Sequence, residues 1–293
     1  MKILITGSNG QVGSKIVQLC QEKELNYLAF NKSELDITDE KGILNLVSSS
    51  QPSVIVNAAA FTNVDAAETE ELLAYSINSK GPENLAKICN KLSIPLIHIS
   101  TDYVFDGKKS SPYHENDVTN PINVYGRTKL KGEELISLFN DNYIILRTSW
   151  VFNEIGNNFM NKIIDLSMNQ KYLDVVGDQL GGPTSAKSIA EAILKICDFY
   201  HINNEIKSGI YHFSGYKHTS WYEFAKYIID VAFDEGLLPY KPHLKEITTK
   251  DFPSKSTKPM NSSLSCDKII SEFGVKISNW QEDVSFILKN YAE

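Results

Sequence analysis

The sequence predicts an α/β protein that is built on a doubly wound parallel sheet and ends in a smaller, mixed α/β C-terminal lobe. Short apolar runs alternate with helical patterns through the first half of the chain, and a glycine-rich turn follows the first apolar run directly. Beyond about residue 150 the alternation becomes irregular. Strands that alternate with helices form parallel sheets covered on both faces, so these observations together predict the fold class.

The predicted elements follow from hydrophobic periodicity. Buried strands are predicted for the apolar runs at 2–6, 26–30, 53–59, 95–100 and 143–149. Helices are predicted between them, where apolar residues recur at helical spacing, as in Val12, Ile16 and Leu19. In the second half we expect a strand at 209–215 and a helix at 219–233, which Ser220 and Glu223 begin as a capping box. A long polar loop is predicted at 248–265 and a last helix at 280–291.

Composition excludes several classes of protein. The chain has 293 residues and a net charge of -7, which argues against a nucleic-acid binder but not against a phosphorylated small ligand. No apolar run reaches the ~18 residues that a membrane span needs, and a first strand that begins at Lys2 leaves no room for a signal peptide. Four scattered cysteines favour a reducing compartment. We therefore expect a cytoplasmic protein with no membrane or nucleic-acid partner.

Three glycines join the first predicted strand to the first helix. Gly7, Gly10 and Gly13 stand in "TGSNGQVG", where a tight turn lets backbone amides approach a pyrophosphate at a helix N-terminus. In this context the turn predicts a dinucleotide site of the Rossmann type, and the alternative is a tight structural turn. We expect an NAD(P)-binding Rossmann domain at 1–150 and a mainly substrate-binding lobe at 151–293, some elements of which return to the Rossmann sheet.

The end of the second strand bears on the choice of nicotinamide cofactor. An acidic residue there binds the ribose hydroxyls of NAD, whereas a basic one accommodates the 2′-phosphate of NADP. Here Asn31 and Lys32 occupy the place, which favours NADPH and leaves NADH possible, although Lys32 can also be a solvated surface lysine. Asp36 and Ile37 are candidates for the adenine side, and the alternative role of Asp36 is a helix-start signal.

A hydroxyl, a tyrosine and a lysine suit the reduction of a ketone. Tyr125 and Lys129 lie four residues apart in "NVYGRTKLKGEE", a segment with the composition of an ordinary surface helix. Thr101 follows the fourth predicted strand, at the edge of the sheet where ligands bind. A tyrosine phenol can protonate the carbonyl oxygen while a threonine hydroxyl hydrogen-bonds it, and a nearby ammonium lowers the pKa of the phenol.

These features resemble the extended short-chain dehydrogenase/reductases, and within them the dTDP-4-dehydrorhamnose reductase family. The segments that carry the closer resemblance occur in the family's order and cover most of the chain: "NAAAFTNVDAAE" (57–68), "STDYVFDG" (100–107), "NVYGRTKLKGE" (123–133), "RTSWVF" (147–152), "GNNF" (156–159) and "DQLGGPT" (178–184).

The resemblance implies the reduction of the 4-keto group of dTDP-4-dehydro-L-rhamnose (dTDP-4-dehydro-6-deoxy-L-mannose) to dTDP-L-rhamnose, a precursor of cell-surface polysaccharides such as O-antigen. Tyr125 would be the proton donor, Lys129 the group that adjusts its pKa and binds the cofactor ribose, and Thr101 the hydroxyl that orients the carbonyl. Two alternatives stay open: another nucleotide-linked 4-keto-6-deoxy sugar, of the talose or 2-acetamido type, or a non-catalytic dinucleotide-binding regulatory subunit.

The residues and the resemblance together predict two sets of contacts. The expected cofactor contacts are Gly7, Asn9, Gly10, Gln11, Val12, Gly13, Asn31, Lys32, Asp36, Ile37, Ala58, Ala59, Ala60, Tyr125 and Lys129. The expected substrate contacts are Thr101, Asp102, Tyr103, Trp150, Asn158, Phe159 and Lys258. For Tyr103 a packing role is favoured over a catalytic one, and for Trp150 the alternative is a core tryptophan.

At two positions the sequence departs from the family pattern, and there the family's contacts are not expected unchanged. Lys258 stands where the family often has an arginine; it keeps the charge but loses the bidentate geometry toward a phosphate. Some members dimerise through magnesium held by acidic side chains after "GGPT", but this chain has Lys187 there, and a cation repels Mg²⁺. We therefore predict no structural metal and leave the protein as a monomer or a homodimer.

Overall fold

The computed structural model describes residues 1–291, so positions 292 and 293 of the predicted 151–293 lobe lie outside the described residues. The strands are β1 Lys2–Thr6, β2 Asn26–Phe30, β3 Val54–Asn57, β4 Leu96–Thr101, β5 Tyr143–Thr148, β6 Val151–Phe152, β7 Tyr172–Val176, β8 Leu180–Gly181, β9 Thr184–Ser185, β10 Gly209–His212, β11 Thr219–Ser220 and β12 His243–Ile247. The α-helices are α1 Gln11–Glu22, α2 Glu40–Ser50, α3 Val64–Ala67, α4 Glu71–Tyr75, α5 Gly81–Leu92, α6 Val124–Phe139, α7 Phe159–Asn169, α8 Ala186–Asn203, α9 Trp221–Asp234, α10 Asp267–Phe273 and α11 Trp280–Tyr291.

The central sheet confirms the predicted doubly wound architecture. Its six strands run in the order β10-β5-β4-β3-β1-β2, and every neighbouring pair is parallel. The chain moves from β1 to β2 on one side and from β3 to β10 on the other. The direction of winding therefore reverses between β1 and β3, and the carboxyl ends of these two strands border the crevice in which ligands of such sheets bind.

Apolar residues cover both faces of the sheet, as the uninterrupted hydrophobic runs predict. Ile3 and Ile5 of β1 pack with α1 and α8 on one face, whereas Leu4 packs with α2 and α5 on the other. Elements from beyond residue 150 thus contribute to the central layers, since α8 covers one face and β10 forms an edge. The predicted strands at 53–59, 143–149 and 209–215 end earlier, because the residues after them leave the sheet to form loops at its carboxyl edge.

The C-terminal half also forms a second apolar core of its own. Helices α7, α9 and α11 and strand β7 bury Met160, Phe224 and Trp280 among other residues. The predicted capping box at the start of α9 is only half formed: the hydroxyl of Ser220 accepts from the Glu223 amide at 3.1 Å, and no return bond from the Glu223 carboxylate is present. The predicted long loop contains a short 3-10 turn at Thr249–Asp251, and the last helix is confirmed at Trp280–Tyr291.

Helix α6 differs from the expected surface helix because its buried face is polar. Thr128, Lys129 and Glu133 are at most 4% exposed. The Glu133 carboxylate accepts from Arg147 of β5, with the Arg147 Nη2 at 2.6 Å and Nε at 3.0 Å, and also from the Ser100 hydroxyl of β4. Buried charges require partners of this kind, and the pair fixes α6 against the two strands.

Replacing Glu133 with glutamine is expected to destabilise the protein by about 3–5 kcal/mol, because it leaves the buried Arg147 guanidinium without a counter-charge. The free energy of unfolding, measured in urea at neutral pH, checks this. Glu134→Gln is the matched control: the next residue pairs with Lys131 on the exposed face, where such bridges contribute about 0–1 kcal/mol. Equal losses in the two variants would contradict a structural role for the buried pair.

Candidate active site

The crevice between β1 and β3 is lined by many of the residues predicted to bind the cofactor. Gly7, Asn9, Gly10, Asn31, Lys32, Asp36, Ile37, Ala58, Ala59 and Ala60 lie around one cleft, together with Leu35 and Ile77. Gly7 has a φ of 69°, and a Cβ there would lie 2.6 Å from the Ala59 amide nitrogen. The turn and the segment after β3 therefore approach each other as closely as glycine permits.

Helix α1 presents an uncapped N-terminus to this cleft. Its N-cap is Gly10, which has no side chain to satisfy the first amides, and its first turn carries no acidic residue. A Cβ on Gly13 would lie 2.2 Å from the Gly7 carbonyl oxygen, so the helix begins directly against the turn. Free amides at the positive end of a helix fit a pyrophosphate, and the residues present therefore fit a dinucleotide.

The end of β2 supplies a basic side chain to the cleft, as predicted. Lys32 is exposed, and no carboxylate within residues 1–291 forms a salt bridge with its ammonium. The nearby Glu34 carboxylate instead accepts from the Asn31 amide at 2.8 Å. Asp36 does not begin a helix: its carboxylate accepts from the Thr38 amide at 2.9 Å, and the N-cap of α2 is Asp39.

The predicted hydroxyl and phenol meet beyond the carboxyl end of β4. The Thr101 hydroxyl donates to Asp102 Oδ1 at 3.0 Å and accepts from the Tyr103 backbone amide, and the half-buried Tyr125 phenol lies near it. Burial raises the pKa of Tyr125 to about 12, and Thr101 acts against that rise. The Tyr103 ring packs edge-to-face on the Tyr125 ring, with centroids 5.8 Å apart. Tyr103 therefore packs against the ring of Tyr125.

Lys129 lies one turn after Tyr125, on the buried side of α6. Its ammonium nitrogen is 2.7 Å from the Ile99 carbonyl oxygen and 3.1 Å from His98 Nε2, and only 1% of the residue is exposed. Burial lowers the pKa of Lys129 to about 8, and the Glu133 carboxylate acts in the opposite direction. Lys129 therefore changes its charge near neutral pH.

Asp102 is a buried acid directly beside Thr101. Burial raises its pKa to about 7, against the hydrogen bonds that it accepts. Its Oδ2 has no hydrogen-bond partner in normal geometry among the described residues. A buried carboxylate oxygen without a partner in normal geometry is rare and costly, and burial of this acid is consistent with its raised pKa.

On the substrate side, Trp150 is held in an unusual conformation. Its φ is 46°, in the left-handed region that bulky residues rarely adopt. The half-buried indole stacks on Trp221, with centroids 3.4 Å apart and planes inclined by 4°, and Phe159 also packs on Trp221. Backbone strain of this kind is retained where a side chain must take a particular direction. Trp150 therefore belongs to a wall of aromatic rings and is not an isolated core residue.

Asn158 links the cofactor turn to α7. Its side chain caps the helix by accepting from the Asn161 amide at 3.1 Å, and its amide group donates to Gln11 Oε1 at 3.0 Å and to the Asn153 carbonyl at 2.9 Å. These bonds occupy most of its capacity. In the structure Asn158 joins Gln11 to the second lobe, and a substrate contact for it stays a prediction.

Lys258 lies in the long loop that the sequence predicts at 248–265. The loop is attached near the site, because the Ser256 hydroxyl and amide donate to the Asp65 carboxylate and the Asn123 side chain donates to the Thr257 carbonyl at 2.8 Å. Asn123 is also the N-cap of α6. The loop therefore holds Lys258 close to the helix that carries Tyr125.

Sequence reasoning missed the polar residues behind the site. His98 is buried, as a core histidine would be, but it contacts Lys129 and also accepts from Asn57 Nδ2 at 2.9 Å. Side chains alternate between the two faces of β4, which places the polar residues His98 and Ser100 on the same face. This pattern in the sequence could have indicated a polar contact for His98. Within residues 1–291 there is no group of three or more acidic, histidine or cysteine side chains arranged for a metal ion, and no helix long and apolar enough to cross a bilayer.

The chain is similar to known proteins along its whole length. The family model for the RmlD substrate binding domain matches residues 1–293. A dTDP-4-dehydrorhamnose reductase from Aggregatibacter actinomycetemcomitans is 42% identical over 100% of this chain and 99% of its own.

Two solved structures carry the same name. The enzyme from Clostridium acetobutylicum has a TM-score of 0.92 and 34% identity over 100% of both chains. The enzyme from Bacillus anthracis, solved in complex with NADP, has a TM-score of 0.90 and 32% identity over 99% of both chains. On this evidence the chain belongs to the RmlD substrate binding domain family.

Proposed function

We propose that this protein reduces the 4-keto group of dTDP-4-dehydro-L-rhamnose to dTDP-L-rhamnose with NADPH. The observation that supports the proposal is the closeness of the Thr101 hydroxyl and the Tyr125 phenol, with Lys129 one turn further along α6, at the carboxyl edge of the sheet where the dinucleotide cleft also lies. Relatives that match the chain over its full length bear the name of this reductase, and one was solved with NADP.

The cofactor supplies a hydride to the carbonyl carbon, and the protein must deal with the charge that develops on the carbonyl oxygen. The Tyr125 phenol stays protonated across the physiological range, because burial raises its pKa to about 12. It can therefore give its proton to the oxygen, while the Thr101 hydroxyl turns its one proton from Asp102 Oδ1 to the same oxygen. The Lys129 ammonium stabilises the phenolate that remains.

Recognition of the sugar nucleotide rests on the second lobe and on the loop at 248–265. Trp150, which stacks on Trp221, is the proposed aromatic contact for the sugar nucleotide. Asp102, directly beside Thr101, is the proposed contact for a sugar hydroxyl. Lys258 supplies a positive charge for the diphosphate, although a lysine there makes a single point contact and not a bidentate one. Asp65 and its serine partners hold that loop in place.

Tyr125→Phe is expected to lower kcat for NADPH oxidation by about 10²–10⁴-fold, because the variant keeps the ring but has no proton to donate. The assay follows NADPH absorbance after dTDP-4-dehydro-L-rhamnose is generated in situ. NADPH affinity, measured by fluorescence titration, should stay nearly unchanged. Tyr143→Phe, at the opposite end of the sheet, is the control and should keep full activity. Full activity in Tyr125→Phe would remove this tyrosine from the mechanism.

Lys32→Ala is expected to raise the Kd for NADPH about tenfold and to leave the Kd for NADH unchanged, because it removes a charge-assisted contact with the 2′-phosphate. The matched control is Lys41→Ala, an exposed lysine on α2 outside the cleft. Titration of both cofactors against the three proteins makes the comparison. A parallel loss for NADPH and NADH would show that Lys32 does not read the 2′-phosphate.

The reduction is expected to slow as the pH rises through about 8, where the buried Lys129 loses its charge. Below this pKa the ammonium is present and kcat/KM stays level; above it, kcat/KM falls about tenfold per pH unit. The pKa of Asp102 is about 7, so Asp102 could also cause the loss of activity at alkaline pH. The dependence of kcat/KM on pH in Asp102→Asn distinguishes the two residues. If the fall in kcat/KM above pH 8 disappears in Asp102→Asn, it is caused by the aspartate, and the role given to Lys129 is contradicted.

A further inference from the structure

A chain of hydrogen bonds runs behind the site and ends on Lys129. The Thr6 hydroxyl donates to Asn57 Oδ1 at 2.7 Å, and the Ala59 amide donates to the same oxygen at 3.1 Å. Asn57 Nδ2 lies 2.9 Å from His98 Nδ1, and His98 Nε2 lies 3.1 Å from the Lys129 nitrogen. Thr6, Asn57, His98 and Lys129 are each at most 1% exposed, so no solvent is needed to connect them.

A backbone amide fixes which groups donate and which accept along this series of hydrogen bonds. An amide N–H can only donate, so the Asn57 side-chain atom next to Ala59 must be the oxygen. The Asn57 nitrogen then faces His98 and donates to Nδ1. Because burial first and Lys129 second lower the pKa of His98 well below its ordinary value, the ring is neutral. A neutral imidazole that accepts at Nδ1 carries its proton on Nε2, which faces Lys129.

An N–H that faces Lys129 suits only one of its two charge states. The ammonium form has no lone pair, so it would place donor against donor at 3.1 Å. The neutral amine can accept from His98 Nε2 and still donate to the Ile99 carbonyl at 2.7 Å. The polarity of the chain therefore favours the state of Lys129 that has given up a proton.

We propose that His98 is a positioning residue that presents a fixed Nε2–H donor to Lys129 and stabilises its neutral amine. The inference deepens the proposed function and rests on it. The contact favours the amine form, so His98 sets the pH above which Lys129 loses its charge and the reduction slows.

The other charged groups around Lys129 are paired or act on neighbouring residues. Glu133 on the same helix favours the ammonium, but Arg147 of β5 and Ser100 of β4 bind its carboxylate. Asp102, after β4, acts on Tyr125. On α5, which packs against α6, Glu83 is paired with Lys80 and Lys87. His98 is therefore the group in direct contact with Lys129 that opposes its charge.

The first experiment determines the tautomer of His98 by ¹⁵N NMR on the unmodified, ligand-free protein. His98 is expected to be neutral at pH 7 with its proton on Nε2. His212 serves as an internal control of opposite polarity, because its Nδ1 lies 3.1 Å from the Tyr113 carbonyl and its Nε2 faces Arg147, so its proton is expected on Nδ1. A His98 proton on Nδ1 would overturn the proposal without any variant.

The second experiment compares two polar replacements of His98. His98→Asn keeps an acceptor for Asn57 but loses the donor to Lys129, whereas His98→Gln keeps an amide N–H at the position of Nε2. The pKa of Lys129, followed by NMR of its ε-carbon in the ligand-free proteins, is expected to rise by about one pH unit in His98→Asn and to stay near the unmodified value in His98→Gln. Equal values in the two variants would refute the proposal.

These readouts separate this inference from the proposed function. The tautomer and the pKa of Lys129 are measured without cofactor or sugar nucleotide, so they stand even if dTDP-4-dehydro-L-rhamnose is not the substrate. If the reductase assay succeeds, the alkaline limb of kcat/KM should move upward in His98→Asn and return in His98→Gln. A normal reductase whose alkaline limb is the same in both variants would retain the proposed function and exclude the role of His98.

Discussion

The buried carboxylate of Glu133 is the interaction on which the site depends. It binds Arg147 from β5 and Ser100 from β4, so a single side chain of α6 is tied to two strands. In a low-dielectric interior any shift of the helix would weaken these charged hydrogen bonds, so the bonds fix the register of α6 on the sheet. Lys129 lies one turn before Glu133 and Tyr125 one turn before that, so the pair also sets their positions.

Strand β4 contributes to the site both through the side chains on its α6 face and through its last residue. His98 and Ser100 point toward α6, where they meet Lys129 and Glu133 in turn. Thr101 is the last residue of the strand and lies at the edge where ligands bind. One short strand therefore holds the helix in register, contacts the lysine and supplies the hydroxyl. The same packing excludes water from Lys129, and burial then brings its pKa near neutrality.

Much of the fold was predictable from the sequence because its signals are local. The runs at 2–6 and 26–30 became β1 and β2 without change, and the glycine turn lies between β1 and α1 as expected. Gly7 and Gly13 are identifiable because only glycine fits so close to another backbone. The polar face of α6 was not predictable in the same way. A lysine and a glutamate at helical spacing indicate solvent, and only partners far away in the chain, Arg147 and His98, make their burial favourable.

The sequence by itself determined the doubly wound sheet and the position of the glycine turn, and it predicted the residues proposed for the reduction, since each depends on periodicity or on short motifs. The tertiary structure decided how those residues are tuned. It stacked Trp150 on Trp221, used Asn158 to join Gln11 to α7 and turned the ring of His98 toward Lys129. Such contacts join segments that are distant in sequence, and their hydrogen-bond polarity and desolvation exist only once the layers have packed together.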